Sequence, residues 1–170
     1  MKTSLTRSLV VAATALGGIA TGTSFDKSIV QLPAWNQVGA EPWATFSREA
    51  DLRNGLRWYP AMGIGTVLAN IAAAIAVHRD PAAPPAAVVP TQTAALLAIG
   101  HMLATARAAP NMLRVRRTED PDSLKAALEG FTRWQTVRTG LDVLMFTANL
   151  WSLASVYERE RRSGRFRATG

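Results

Sequence analysis

Residues 58–77 read WYPAMGIGTVLANIAAAIAV, a run of 20 residues without a charge. A helix rises 1.5 Å per residue, so about 20 residues suffice to cross the hydrocarbon of a bilayer. The run opens on Trp58 and Tyr59, whose amphipathic rings suit the membrane interface. Gly63, Gly65 and the alanines 72–74 offer small surfaces for close helix packing. A helix from a soluble bundle would show a polar face at 3.6-residue spacing. This stretch is apolar or small all round, which decides for a membrane span.

Outward from it, three further runs follow the same logic. Residues 8–23 are uncharged and preceded by Lys2 and Arg7. A secretory signal begins in the same way, but the small residues at 20–24 fit a cleavage site only loosely. With more spans downstream, the run reads as an uncleaved first helix over 6–23. A third span is expected at 91–109, closed by Arg107 and Pro110, and a fourth at 138–157, with Trp151 and Tyr157 toward its end. Asp120 and Pro121 give a start signal for a short amphipathic helix over 122–134. The Pro- and Ala-rich stretch 81–90 reads as a linker. The expected fold is all-α: an up-down four-helix transmembrane bundle in one domain, 1–170, with that amphipathic helix between spans 3 and 4.

Composition agrees once its distribution is considered. Of 170 residues, 48% are hydrophobic and 18% charged, below the roughly 25% of soluble domains. Mean hydropathy is only +0.07 because the charges are gathered in blocks between the apolar runs. The absence of cysteine excludes disulfides, thiolate metal sites and thiol nucleophiles. The net charge of +7 is explained by arginines flanking spans, so nucleic acid is not an expected partner. The expected partners are the lipid bilayer and an apolar small molecule, with homo-oligomerisation left open.

Four spans put the N-terminus, the loop near 78–90 and the tail 158–170 on one side. That side carries Lys2, Arg7, Arg79, Arg159, Arg161, Arg162, Arg165 and Arg167 against Asp80, Glu158 and Glu160. The arginines directly after Tyr157 place both termini in the cytoplasm of a multi-pass inner (plasma) membrane protein. The connections 24–57 and 107–138 then face outward together. In the first, Trp35, Trp43 and Phe46 suit either interfacial anchoring or a lid over a pocket.

Ionisable groups inside a span are costly and point to function by default. His101 is about ten residues, or roughly 15 Å, into the third span, near the midplane. Asp142 begins the fourth span one turn after Arg138, so an i, i+4 pair is expected there. Asn149 falls at a depth similar to His101, and Asn70 closer to the cytoplasmic side; either can hydrogen-bond across helices. Arg107, Asn111, Arg114, Trp134 and Arg138 gather at the outer ends of spans 3 and 4. A guanidinium there suits a phenolate, enolate or carboxylate, or a lipid phosphate. His78 sits at the opposite end of a span from His101, so the two histidines cannot share a metal. No metal or phosphate-loop motif occurs. Any chemistry is therefore expected to need no cofactor of the chain's own.

The segments Asn111-Met112-Leu113 and Phe131-Thr132-Arg133-Trp134-Gln135-Thr136-Val137-Arg138-Thr139 resemble the second half of the anthrone-oxygenase-like family, also catalogued as domain of unknown function 1772. Leu32-Pro33-Ala34-Trp35, after an apolar first helix, is similar to it too. The resemblance implies a small four-helix membrane protein, and it carries over at Asn111, Trp134 and Arg138. Many relatives have a histidine between the Trp and the Arg; this chain has Gln135, Thr136 and Val137 instead. Some fungal relatives oxidise anthrones to anthraquinones.

Two classes of function follow. One is a cofactor-independent oxygenase acting on an apolar aromatic substrate. In it His101 or Asp142 abstracts a proton, and Arg107 or Arg138 holds the anion. Asn111, Trp134, Asn149 and Trp35 complete the expected substrate site. The other is a non-enzymatic accessory subunit, or a lipid- or quinone-binding protein. An enzyme predicts an enclosed pocket lined by His101 or Asp142 beside Arg138. An accessory protein predicts those groups satisfied between helices, with no cavity.

Overall fold

The computed structural model describes residues 2–168. Of the charges counted above, the side chains of Lys2, Arg162, Arg165, Arg167 and Glu160 lie outside the described residues. Every described element is helical. Helix α1 (Lys2–Phe25) runs into a π-helical segment, Asp26–Gln31, and on into α2 (Leu32–Val38). Gly39, the one described residue with positive φ (93°), breaks the path. A left-handed φ of this kind costs glycine nothing. Helix α3 (Ala40–Glu49), a second π-helical segment, Ala50–Asn54, and α4 (Gly55–Arg79) follow as one continuous run. Helices α5 (Pro85–Val115) and α6 (Pro121–Ala168) complete the chain.

Three expectations are revised. The connection 24–57 is not an open loop but helical on both sides of Gly39, which satisfies its backbone groups internally. The linker 81–90 is shorter than read. Helix α5 starts at Pro85, because proline fits a first helical turn and the alanines that follow are good helix formers. The amphipathic stretch 122–134 is helical but is not a separate helix. It is the first part of α6, since no proline intervenes before residue 138 and Gly140 alone does not stop a helix.

Four long helices pack in a ring: α5 against α6 along the greatest length, α1 against α4 and α6, and α4 against α5. At one end Thr6 donates to Asp80 (2.9 Å) and Arg7 to the Tyr157 hydroxyl (2.9 Å). At the other, Ser24 of α1 reaches Asp142 of α6 (2.6 Å). Between them Thr14 and Thr21 of α1 donate to backbone carbonyls of α6, and past Ser24 the hydroxyl of Ser28 in the first π-helical segment meets that of Thr139. Gly17 and Gly18 allow this approach. A Cβ on Gly17 would lie 3.0 Å from Asn149 Nδ2, and one on Gly18 3.1 Å from the Phe146 ring.

The interior has two storeys. Within the ring the core is built of small residues, with Val10, Ala13, Ala73 and Val77 at one level and Ala94, Ala98, Met145 and Ala148 at another. Above it sits a cap of α2, α3, the end of α5 and the start of α6, packed on Leu32, Trp35, Trp43, Leu124, Leu128 and Phe131.

The outside of the ring is inverted relative to a water-soluble protein. Leu68, Leu96, Leu103, Leu144 and Trp151 all face outward, and only 22% of the apolar window in the run Ala40–Arg79 is buried within the protein. Burying each such leucine is worth about 1.5–3 kcal/mol, so this surface requires an apolar surround. Three helical runs, Ser4–Val38, Ala40–Arg79 and Pro85–Val115, are long and apolar enough to cross a membrane. The chain is a membrane protein. Helix α6 is not among the three by composition. Its 138–157 stretch carries Asp142 and Asn149, and both are turned into the ring.

Candidate functional site

A cavity of about 320 Å³ lies between the ring and the cap. It is bounded by the end of α1, both π-helical segments, the first turns of α4, the second half of α5, and Phe131 and Arg138 of α6. Most of the wall is apolar, including Met102, Ala108, Met112 and Phe131. The polar groups on or just behind it form two clusters, each centred on a buried carboxylate.

The first cluster joins three helices. Asp142 is fully buried; its Oδ1 lies 2.6 Å from His101 Nδ1, and its Oδ2 accepts from Ser24 Oγ at 2.6 Å. With Asp142 as a carboxylate and the imidazole in its neutral form, Nδ1 carries the ring proton toward Asp142 and Nε2 keeps its lone pair. His101 lines the cavity, and its Nε2 stands beside Gly63, whose added Cβ would be 3.8 Å away. Gly63 therefore leaves open the space in front of that nitrogen. Arg138, one turn before Asp142 on α6, also lines the cavity, and its Nε is buried without a hydrogen-bond partner.

The second cluster lies on the wall formed by the two π-helical segments. Lys27 Nζ binds both oxygens of Asp51 (2.7 and 2.6 Å), and Ser47 Oγ donates to the same carboxylate at 2.6 Å. Lys27 also donates to Gln31 at 3.2 Å and lies 5.7 Å from the Trp43 ring centroid. Lys27 and Asp51 each sit in a π-helical segment. Such a widened turn re-aims side chains and recurs at functional sites. Here two of them turn a cation and an anion toward each other across the cavity wall.

The expected local pair of Arg138 with Asp142 is not formed. Asp142 is bound to His101 and Ser24 instead, because both reach it squarely from neighbouring helices. Of the expected site residues, His101 and Arg138 share the cavity and Asp142 backs it. The others stand elsewhere. Asn149 donates to Asn70 Oδ1 at 3.0 Å in the middle of the ring. Asn111 folds back on the Arg107 carbonyl (3.3 Å) and packs over Gly130. Trp134 packs against the cap core, and Trp35 lies within it. Arg107 is exposed. Ser24, Lys27 and Asp51 line the cavity without having been singled out in the sequence, and Tyr59, read there only as an interface ring, lines it too. A serine at the end of an apolar run has no distinguishing signal. Lys27 and Asp51 became legible only once the connection 24–57 was seen to be helical. Among the described residues, no group of three His, Asp or Glu side chains could hold a metal ion.

The arrangement can take a proton at Nε2 of His101, stabilise the resulting imidazolium with Asp142, and hold a developing anion with Arg138. The chain matches no protein-family model, no curated protein and no solved structure.

Proposed function

We propose that this protein is a cofactor-independent oxygenase embedded in the plasma membrane, acting on an apolar aromatic substrate with an acidic C–H group. The observation that carries the reading is the His101 dyad. One ring nitrogen is held by a buried carboxylate, and His101 lines an apolar cavity whose wall also includes Arg138, a guanidinium whose Nε is buried without a hydrogen-bond partner. A carboxylate-bound imidazole is a fixed general base, and an apolar, water-poor pocket strengthens an arginine's hold on an enolate oxygen.

The chemistry balances with dioxygen as the sole oxidant. Nε2 takes a proton from the substrate CH₂, and Arg138 holds the carbanion in its enolate form. The enolate gives its electrons to O₂ and forms a C–O bond. The peroxide anion recovers the proton from His101, and the hydroperoxide loses water to leave a ketone. The sum is R₂CH₂ + O₂ → R₂C=O + H₂O. The resemblance at Asn111, Trp134 and Arg138 to anthrone-oxygenase-like proteins supports the same substrate class.

In this reading α6 is the fourth span of an up-down bundle, because its polar residues face inward and its outer face carries Leu144, Leu150 and Trp151. The arginines after Tyr157 put both termini in the cytoplasm, with the cap outside. The test is oxygen uptake by purified protein in proteoliposomes supplied with anthrone. Uptake above protein-free vesicles is expected, and His101→Gln should lower it by about 10²–10⁴-fold. Equal uptake in the variant and the wild type would leave a binding protein for a quinone-like ring as the surviving interpretation.

A further inference from the structure

We infer that the cavity takes its ligand sideways from the bilayer, through a mouth around the first turns of α4 and its seam with α5, so that the ligand is a membrane-dissolved amphiphile rather than a solute from water. The inference rests on the cavity being a ligand site, as proposed above, but not on the oxidation.

A residue that lines the cavity and is also exposed on the outer surface marks its mouth. Five large side chains do both: Leu56, Trp58, Tyr59 and Ile64 on α4 and Leu113 on α5. Thr23 of α1 is the one exposed lining residue outside these two helices. The roof is different in kind. Lys27, Asp51, Leu52, Met112 and Phe131, which line the cavity toward the cap, are all buried. On this side only Gln31 is part-exposed, so the way from water is largely covered and the wide opening faces lipid.

The backbone of both flanking helices is also interrupted at this level. Pro60 lies inside α4 and Pro110 inside α5. Each removes one rung of its helix's hydrogen-bond ladder. Further down, the seam is closed by Ala94 and Ala98 with Val67. From Trp58 to Ile64 the helix descends about 9 Å, from the level where aromatic rings mark an interface into the acyl region. A ligand whose polar oxygen sits at headgroup level and whose rings lie in the acyl region is therefore already aligned with the mouth.

The test uses wild-type protein in phosphatidylglycerol/phosphatidylethanolamine vesicles, with stopped-flow fluorescence of 1-naphthol, which partitions into lipid, and of 1-naphthol sulfonate, which stays in water. At a fixed aqueous concentration of naphthol, its mole fraction in the bilayer is varied by changing the acyl-chain composition and hence the partition coefficient; the binding rate is expected to follow that mole fraction, and the sulfonate should not bind. Leu113→Trp and Ile64→Trp narrow the mouth. Each should slow binding and release together by about tenfold with Kd little changed, as a gate does. Val89→Trp, exposed near the other end of α5, should have no effect. A binding rate that follows only the aqueous concentration, with both mouth variants at the wild-type rate, would overturn lateral access while leaving the site intact. No naphthol binding at all would overturn this inference and the ligand site together, whereas unchanged oxygen uptake in His101→Gln would sink only the oxygenase. The phase dependence needs no variant, so misfolding of a tryptophan substitution leaves the test in place.

Discussion

Asp142 and Asp51 are two buried carboxylates flanking one cavity, each with one basic partner and one serine, yet they are built for different tasks. Asp142 gives one oxygen to an imidazole and the other to Ser24, and the imidazole keeps a second nitrogen for the cavity. Asp51 gives both oxygens to the Lys27 ammonium and is closed further by Ser47. The first arrangement can pass a proton to and from a ligand. The second ties the first π-helical segment to the second and fixes the cap over the ring. The same acid thus serves chemistry or architecture according to whether its partner has a second face.

If that contrast is right, the two carboxylates fail differently. The largest effect is expected from Asp142→Asn. An amide can present either end to Nδ1 and no longer fixes the imidazole tautomer, so oxygen uptake with anthrone should fall by about 10³–10⁴-fold while the protein still binds naphthol. Retained uptake would mean that His101 does not need its carboxylate, and the contrast would collapse.

Asp51→Ala should act on stability instead. It strands a buried ammonium, which costs about 3–5 kcal/mol, and the SDS concentration at half-unfolding should drop accordingly. Replacing both partners, Lys27→Met with Asp51→Leu, should recover most of the loss. If the double variant is as unstable as the single one, the pair is more than a tie.

A smaller effect is expected at Asn149, whose bond to Asn70 lies away from the cavity. Asn149→Leu should lower stability by about 0.6 kcal/mol, the mean for polar contacts between membrane helices, and leave oxygen uptake unchanged. A large loss of uptake would extend the site into the middle of the ring.

The smallest effect lies outside the ring. At the start of α6 Ser123 holds the Asp120 carboxyl below the usual carboxylate range, first through its side-chain hydroxyl and then through its backbone N–H, which donates at 2.9 Å. A lowered folded-state pKa contributes stability above the unfolded value, and that contribution is lost as the pH falls through the folded one. Amide exchange in the first turn of α6 should therefore quicken on acidification, and Asp120→Asn should abolish that dependence without touching either carboxylate cluster.

Much of this protein is written in one dimension. An uncharged run of 20 residues forces a span whatever surrounds it, because the cost of an unsatisfied backbone in hydrocarbon leaves the helix as the only local solution. The expense of ionisable groups inside a span also singled out His101 and Asp142 before any contact was known. Their pairing was not legible. The sequence offered Asp142 a partner four residues away in Arg138, and the structure chose one 41 residues away in His101. Helical periodicity says which residues share a face, but not the register at which two faces meet. That register is set by how closely the small residues of α1, α5 and α6 let the backbones approach. The cavity, the Lys27–Asp51 tie and the placing of Asn149 away from His101 all depend on it, so only the tertiary structure could decide them.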